Sequence, residues 1–322
     1  MIQAGIDEAG YGPVLGPLVT AMAVFETESD KIEDLWVGLQ KLVRKEVRGN
    51  DEQRLTVADS KNLYHAGDGI GALETVALAF CGAFSGGHIP RHGAEFLAQR
   101  GLCSPPCADY PWYACGLESL TLPLSGQIER IQTFAAKLAD AMEEAGLRPL
   151  LLLTHPLLEA EFSARAEHFD SKARALFDCN VDLIQTLRST PSPEATRVLC
   201  DRHGSRRHYG ALLEQAFPLA GVEVLHERKA SSAYHIGEGH TGFEVQYVTS
   251  GESHGMEVAL ASIMAKYTRE LFMTCFNAHF SKRAPGLKPT AGYYVDGMRF
   301  VEDLDRARIL KKGERERLIR SR

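Results

Sequence analysis

Short apolar runs alternate along this chain with stretches whose apolar residues recur at helical spacing. The apolar IQAGI and LVTAMAVF flank DEAGYGPVLGP, which predicts two strands over 1–25 joined by a Gly/Pro-rich turn. Leu35, Leu39, Leu42 and Val43 share helical spacing and predict a helix over 30–47. Further helices are predicted over 70–84 and 127–145, the latter stopping at Gly146 ahead of the strand-like LRPLLLLTH. A helix over 171–189, closed by TPSPEA, precedes a short buried strand over 197–200 that ends at Asp201. A helix over 208–217, strands over 222–225 and 243–249, and a long helix over 256–280 follow. Strands alternating with helices predict a mixed α/β architecture. The least regular stretch, 88–127, reads as an insertion, and no internal repeat or low-complexity tract is present.

Composition narrows the classes. At 322 residues, 44% hydrophobic and 24% charged, the chain can bury a sizeable core in one large domain or two small ones. The longest apolar stretch, LRPLLLLTHPLL, falls well short of the ~18 residues of a membrane span. The start MIQAGIDEAG lacks the basic-then-apolar pattern of a signal peptide. Seven cysteines, with Cys81, Cys179, Cys200 and Cys275 in apolar stretches, fit reduced core thiols, so a cytoplasmic protein is expected. Cys103, Cys107 and Cys115 share the loop-like CSPPCADYPWYAC; zinc there would need a histidine as well, and a Pro-rich loop is the simpler reading. The net charge of -6 carries no whole-chain signal for nucleic acid, although carboxylates gathered for cations would contribute to it. Distribution says more: residues 306–322 hold eight Lys or Arg against two Glu, a local +6. Arg202, His203, Arg206, Arg207 and His208 form a second basic cluster. Each reads equally well as solvated surface or phosphate contact.

Four acids stand where predicted strands end. Asp7 and Glu8 close the first apolar run, Asp201 follows RVLC, and Glu252 follows GFEVQYVTS ahead of the long helix. Carboxylates gathered at strand ends repel one another unless cations intervene. Two divalent ions about 3.5–4 Å apart resolve that repulsion and suit phosphodiester hydrolysis. Oxygen-only ligands select Mg²⁺ or Mn²⁺ over zinc. Spacing alone leaves solvated acids as the commoner reading.

Four segments, in order along the chain, resemble ribonuclease HII. GIDEAGYGPVLGPL resembles that family's opening Asp–Glu pair and glycine-rich turn, and ADSKNL its Asp-Ser-Lys-x-Leu segment. GESHGMEVALASIMAKYTRE resembles its Gly-acid-Ser opening followed by Ala-Ser-Ile-x-Ala-Lys-x-x-Arg, and AGYYVDGMRFVEDL is a looser echo of its Gly-Tyr segment. The resemblance implies a ribonuclease H-like α/β fold, a central mixed sheet flanked by helices, as a single domain over 1–322. The insertion around 88–127 and a helical, basic segment over 301–322 would belong to it. It further implies a metal-dependent endonuclease that hydrolyses the RNA strand of RNA–DNA hybrids, leaving 5′-phosphate and 3′-hydroxyl ends. Asp7, Glu8, Asp201 and Glu252 would be catalytic and hold two Mg²⁺ or Mn²⁺ ions. Glu252 stands where the family usually has Asp and the related ribonuclease HIII group has Glu; Glu257 is its rival, but falls in the spacer. Gly10, Tyr11, Gly12, Lys61, Lys266 and Tyr293 would contact substrate, Arg269 would pair with an acid, and Ser60 and Ser262 would cap backbone or touch substrate. The resemblance implies a monomer with a nucleic-acid partner and no membrane.

The departures concern substrate. The family turn Gly-Arg-Gly is here Gly10-Tyr11-Gly12, and a tyrosine cannot replace a bidentate cation, although it could stack on a sugar or base. Cleavage at a single embedded ribonucleotide is therefore the activity most open to change. The segments between Lys61 and Asp201 and between Asp201 and Glu252 are longer than the family pattern. Two alternatives stay open: a nuclease of this fold acting on another nucleic acid, and a catalytically silent nucleic-acid-binding protein. Retention of four carboxylates argues against the second, since a binding surface gains nothing from negative charge facing phosphate.

Overall fold

A computed structural model describes residues 1–29, 34–46, 52–64, 69–102, 107–114, 116–189, 195–238, 242–311 and 313–320. The two apolar runs at its start pair antiparallel as β1 (Ile2–Ala9) and β2 (Leu18–Thr27), in the order the pattern predicts. A small parallel pair follows, β3 (Val43–Arg44) and β4 (Leu55–Thr56). The remaining strands are β5 (Leu147–Leu157), β6 (Thr196–Asp201), β7 (Val222–Glu227), β8 (Ser231–Ile236) and β9 (Phe243–Val248). Seven strands make one sheet in the order β5-β2-β1-β6-β9-β8-β7. The pairs β1–β6 and β6–β9 are parallel and the rest antiparallel, so the sheet is mixed and flanked by helices, as expected. Pro149 and Pro156, which lack an N–H, are accommodated because β5 is an edge strand.

Alternation along the central strands feeds a core on each face of the sheet. Ile2, Ala4 and Ile6 of β1, with Met22 and Val24 of β2, pack with Phe177, Leu183 and Ile184 of the helix Lys172–Ser189. On the other face, Val19, Ala21, Ala23 and Phe25 join the larger cluster with the helices Gly71–Ala83, Ile128–Glu144 and Met256–Arg283. The last helix is buried nearly all round, consistent with its weak polar face. It crosses β1 at Gly5, where an added Cβ would lie 2.2 Å from the Glu257 carbonyl carbon. Only glycine permits that approach. One turn further along, the same helix reaches the strand end at Asp7.

Two sequence readings change. The helix predicted over 30–47 is, among described residues, a single turn Leu35–Gly38 capped by Asp34, whose Oδ1 accepts from Trp36 N at 2.9 Å. Gly38 is a poor helix former, and Val43 is drawn into the β3–β4 ladder, so the apolar spacing serves a folded-back connector. Strand β8 was not predicted; SSAYHI is too polar to read as a strand, yet Ala233, Tyr234 and Ile236 are buried between β7 and β9. The irregular stretch 88–127 packs into the main core through Phe96, Trp112, Tyr113 and Leu117. Buried Glu74 fastens it, accepting from Leu124 N and Ser125 N at 2.7 Å each. Cys81, Cys179, Cys200 and Cys275 are buried free thiols, whereas the zinc question for the 103–115 loop turns on Cys103 and Cys115, which lie outside the described residues. No helix of the described residues is long and apolar enough to cross a membrane.

Candidate active site

Because β1 and β6 run parallel, with Ile6 beside Cys200, their carboxyl ends open at the same edge of the sheet. That edge is where open α/β sheets present side chains to ligands. Asp7, Glu8 and Asp201 meet there, each offering a carboxylate oxygen within 4.8 Å of the others. Two of the three are held in place. Asp7 accepts from Glu8 N at 2.7 Å and lies beside Ser262, whose hydroxyl donates to Ser60 Oγ at 3.1 Å. Asp201 accepts from Gly251 N at 2.8 Å, which ties β6 to the turn carrying Glu252. Ser60 and Ser262 are both buried and bonded to each other.

Clustering shows in the electrostatics. Burial, then Glu8 and Asp201, raise the Asp7 carboxyl well above the usual range. Glu8 is pushed up to about 8 by burial and by Asp201. Asp201 and Glu252 are raised as well, burial again leading. Glu252 stands at the rim of the cluster: it acts electrostatically on Glu8 but lies outside the tight three-carboxylate group. Its rival Glu257 is buried on the first turn of the long helix, and its charged neighbours are Arg197 and Asp34. The structure therefore keeps Glu252, and not Glu257, beside the site.

Cations surround the carboxylates unevenly. Lys61 is exposed, lies 3.7 Å from Asp59, and feels Asp7, Glu252 and Asp201, which together outweigh burial and raise its pKa. Asp59 is a carboxylate that sequence reasoning missed; it caps the short helix Ser60–Leu63 through Lys61 N, so its sequence signature is an ordinary N-cap. Lys266 is turned to Glu270, with Nζ–Oε1 at 2.5 Å, and lies 4.6 Å from the Tyr64 ring centroid. Its charge is spent on the helix beside the cleft. Tyr293 is 56% exposed at the start of the helix Tyr294–Arg306. Its neighbour Gly292 accepts through its carbonyl from Val14 N, which brings this segment alongside the glycine turn.

That turn is clamped by two buried arginines. Gly10 has φ +88, and a Cβ there would stand 2.5 Å from Pro17 O, so the position requires glycine. Arg269, expected to pair with an acid, instead donates to three carbonyls: Pro17 O at 2.7 Å, Leu15 O at 3.1 Å and Ala291 O at 3.0 Å. A turn rich in Gly and Pro has more carbonyls than amide donors, and a buried guanidinium supplies the missing ones. Arg320 does the same from the other end of the chain, donating to Gly10 O at 2.6 Å and to Pro13 O, with its own N–H on Val14 O at 2.9 Å. Its neighbours in the basic tail are also committed. Arg306 pairs with Asp303, Arg315 with Asp305, and Arg317 donates to Asp109 O. Four of the eight cations over 306–322 are thus engaged, with Arg320 as a tether, while Lys312 and Arg322 lie outside the described residues. In the second basic cluster His203 is a core residue, 2% exposed and bonded to Asn180 at 2.8 Å.

Three carboxylates that repel one another, with oxygens as the only donors, fit Mg²⁺ or Mn²⁺ better than zinc. A pH prediction follows. A carboxyl raised above its unfolded value contributes stability below the unfolded pKa and loses it as pH rises through the folded one. The metal-free protein should therefore melt at lower temperature as pH rises from about 6 to about 9. Glu159 and Glu257, each pushed up to about 7 by burial, add to that slope but have no part in its metal dependence. Added Mg²⁺ or Mn²⁺ should raise the melting temperature more at about pH 9 than at about pH 6. Thermal denaturation at matched ionic strength checks this. Equal melting curves with and without the ion at high pH would argue against a metal site.

No sequence-family model and no curated protein sequence matches the chain. Among solved structures, it is similar to the PCNA:RNase HII complex from Archaeoglobus fulgidus, with 14% identity and TM-score 0.43, over 100% of this chain and 95% of that one. It is also similar to the ribonuclease H2 from Pyrococcus horikoshii OT3, with 15% identity and TM-score 0.40, over 98% and 97% of the two chains. Both scores are low, so the functional reading rests on the carboxylates and on the ordered motifs.

Proposed function

We propose that this chain is a metal-dependent endonuclease of ribonuclease H-like fold that hydrolyses the RNA strand of RNA–DNA hybrids. The observation that carries the reading is the convergence of Asp7, Glu8 and Asp201 at one sheet edge, beside a clamped glycine turn. The order of the four motifs supports it. The reading takes 1–322 as a single domain with 88–127 inserted and 301–322 as its basic segment, acting as a cytoplasmic monomer.

Asp7, Glu8 and Asp201 would hold the ions, with Glu252 completing the set from the rim. Two bound Mg²⁺ or Mn²⁺ ions would supply an activated water and stabilise the leaving oxygen. The residues themselves do three things. Glu8 N and Gly251 N hold Asp7 and Asp201 in a fixed arrangement, so little reorganisation is needed during reaction. Backbone groups of the Gly10–Gly12 turn, rigid in their clamp, read the ribose 2′-hydroxyl that separates RNA from DNA. Lys61 offsets charge at the open side of the cluster, and Tyr293 offers an exposed ring to the substrate.

A gel assay with Mg²⁺ or Mn²⁺ on four duplexes tests the reading: a full hybrid, a DNA duplex with one ribonucleotide, duplex DNA and duplex RNA. The expected result is metal-dependent cutting of the hybrid to 5′-phosphate ends, with weaker cutting at the single ribonucleotide because Tyr11 brings no guanidinium. Cutting confined to duplex DNA or duplex RNA would move the substrate elsewhere within the fold. Binding without cleavage of any of the four would favour the silent reading.

A further inference from the structure

The loop that leaves β6 immediately after Asp201 forms, with Tyr11, the wall of a cavity of about 760 Å³. Gly204, Ser205, Arg206, Arg207 and His208 supply most of its lining. Tyr11 lies just beyond Glu8 along the chain and His203 just beyond Asp201, so the cavity adjoins the strand ends that carry the carboxylates.

Its cations are not equally engaged. His208 is held by Glu227, and Arg202, outside the lining, donates to Lys229 O. Arg206 pairs with no carboxylate among the described residues, and its Nε is buried without a partner. A buried donor left unmatched is unfavourable, so such a group is poised for an acceptor. The floor beneath it is rigid. His203 N donates to Tyr209 OH at 3.1 Å, and the Tyr209 ring stacks on Tyr247 with centroids 3.6 Å apart. Arg206 N closes the turn onto His203 O at 3.3 Å. A loop already ordered loses little entropy on binding.

We propose that this cavity is a second backbone-phosphate subsite, in which Arg206 grips a phosphodiester of the bound strand while the Tyr11 ring lies against the adjoining sugar. The subsite rests on the nucleic-acid reading above and extends it: the cation absent from the glycine turn at position 11 is supplied by the neighbouring loop. The planar guanidinium can make the bidentate contact to phosphate that tyrosine cannot.

The test measures binding of a labelled RNA–DNA hybrid by fluorescence anisotropy over a salt series, with Mg²⁺, in an Asp7→Asn background that holds cleavage off. Arg206→Gln should weaken binding about tenfold and lower the slope of log affinity against log salt by about one. Arg206→Lys should recover the slope but not the full affinity. In otherwise native protein, Arg206→Gln should raise KM and leave kcat nearly unchanged, with an unaltered melting temperature. Wild-type binding with the same salt slope in Arg206→Gln would overturn the subsite and leave the nuclease reading standing. Stabilisation of the protein by inorganic phosphate through Arg206, with hybrid binding unaffected, would overturn it in favour of a free-anion site. Failure of the parent protein to bind or cut the hybrid would overturn both readings.

Discussion

Replacing Asp7 by asparagine is expected to lower cleavage of an RNA–DNA hybrid by about a thousandfold or more, equivalent to ~4 kcal/mol of transition-state stabilisation. The side chain is 8% exposed and its neighbours are fixed, so an amide of the same shape fits without repacking. The change removes one negative charge from a cluster where every member is already raised by burial and by its neighbours. The metal-free variant should consequently be no less stable than the parent at about pH 8, and more stable if repulsion dominates any weakening of the Glu8 N contact. Hybrid binding should be kept or tightened, because less negative charge faces phosphate. Single-turnover gel assays, anisotropy and melting curves separate these effects. Full cleavage by Asp7→Asn would remove this cluster as the reaction centre. Loss of cleavage together with unfolding would show instead that the contacts, and not the charge, were decisive.

The second large effect is expected at Arg269, whose guanidinium is bonded to carbonyls where an acid was expected. Arg269→Met keeps the length and apolar stem but removes all donors to Leu15, Pro17 and Ala291. Each buried carbonyl left unpaired costs roughly 1–3 kcal/mol, and the three are not additive, so a loss on the order of 4 kcal/mol is expected. Against a total stability of about 5–15 kcal/mol this is severe, and the melting temperature should fall by roughly 10 °C. An exposed ion pair would cost about 0–1 kcal/mol. Thermal denaturation distinguishes the two by a wide margin. Arg269→Lys should rescue only in part, since one ammonium cannot span three carbonyls in the fork geometry of a guanidinium. A shift of only a degree or so in Arg269→Met would mean that the turn is held by Arg320 and the sheet alone.

Much of the fold was legible because its elements carry strong periodic signals. The strands carrying Asp7 and Asp201, the helices over 71–83, 128–144 and 172–189, and the long helix from Met256 all announce themselves by apolar spacing. Where the signal failed, a tertiary contact had overridden a local preference. Leu35 to Val43 has helical spacing but folds back, and β8 looks too polar for a strand until β7 and β9 flank it. The candidate site divides the same way. Asp7, Glu8 and Asp201 were readable as acids at the ends of apolar runs. Asp59 hid as a helix cap, and Arg320 hid in a basic tail that looked like solvated surface.

By itself the sequence determined which residues could carry the chemistry, because strand and helix periods are local and a glycine-rich turn after Asp-Glu is written in consecutive positions. Only the tertiary structure decided how they are assembled. The parallel pairing of β1 with β6 brings residues 7 and 201 to one edge, and Gly5 lets the long helix pack directly against β1. Arg269 and Arg320 became clamps for the same reason: a buried carbonyl is satisfied by whichever donor the packing brings to it, and sequence separation does not enter that choice.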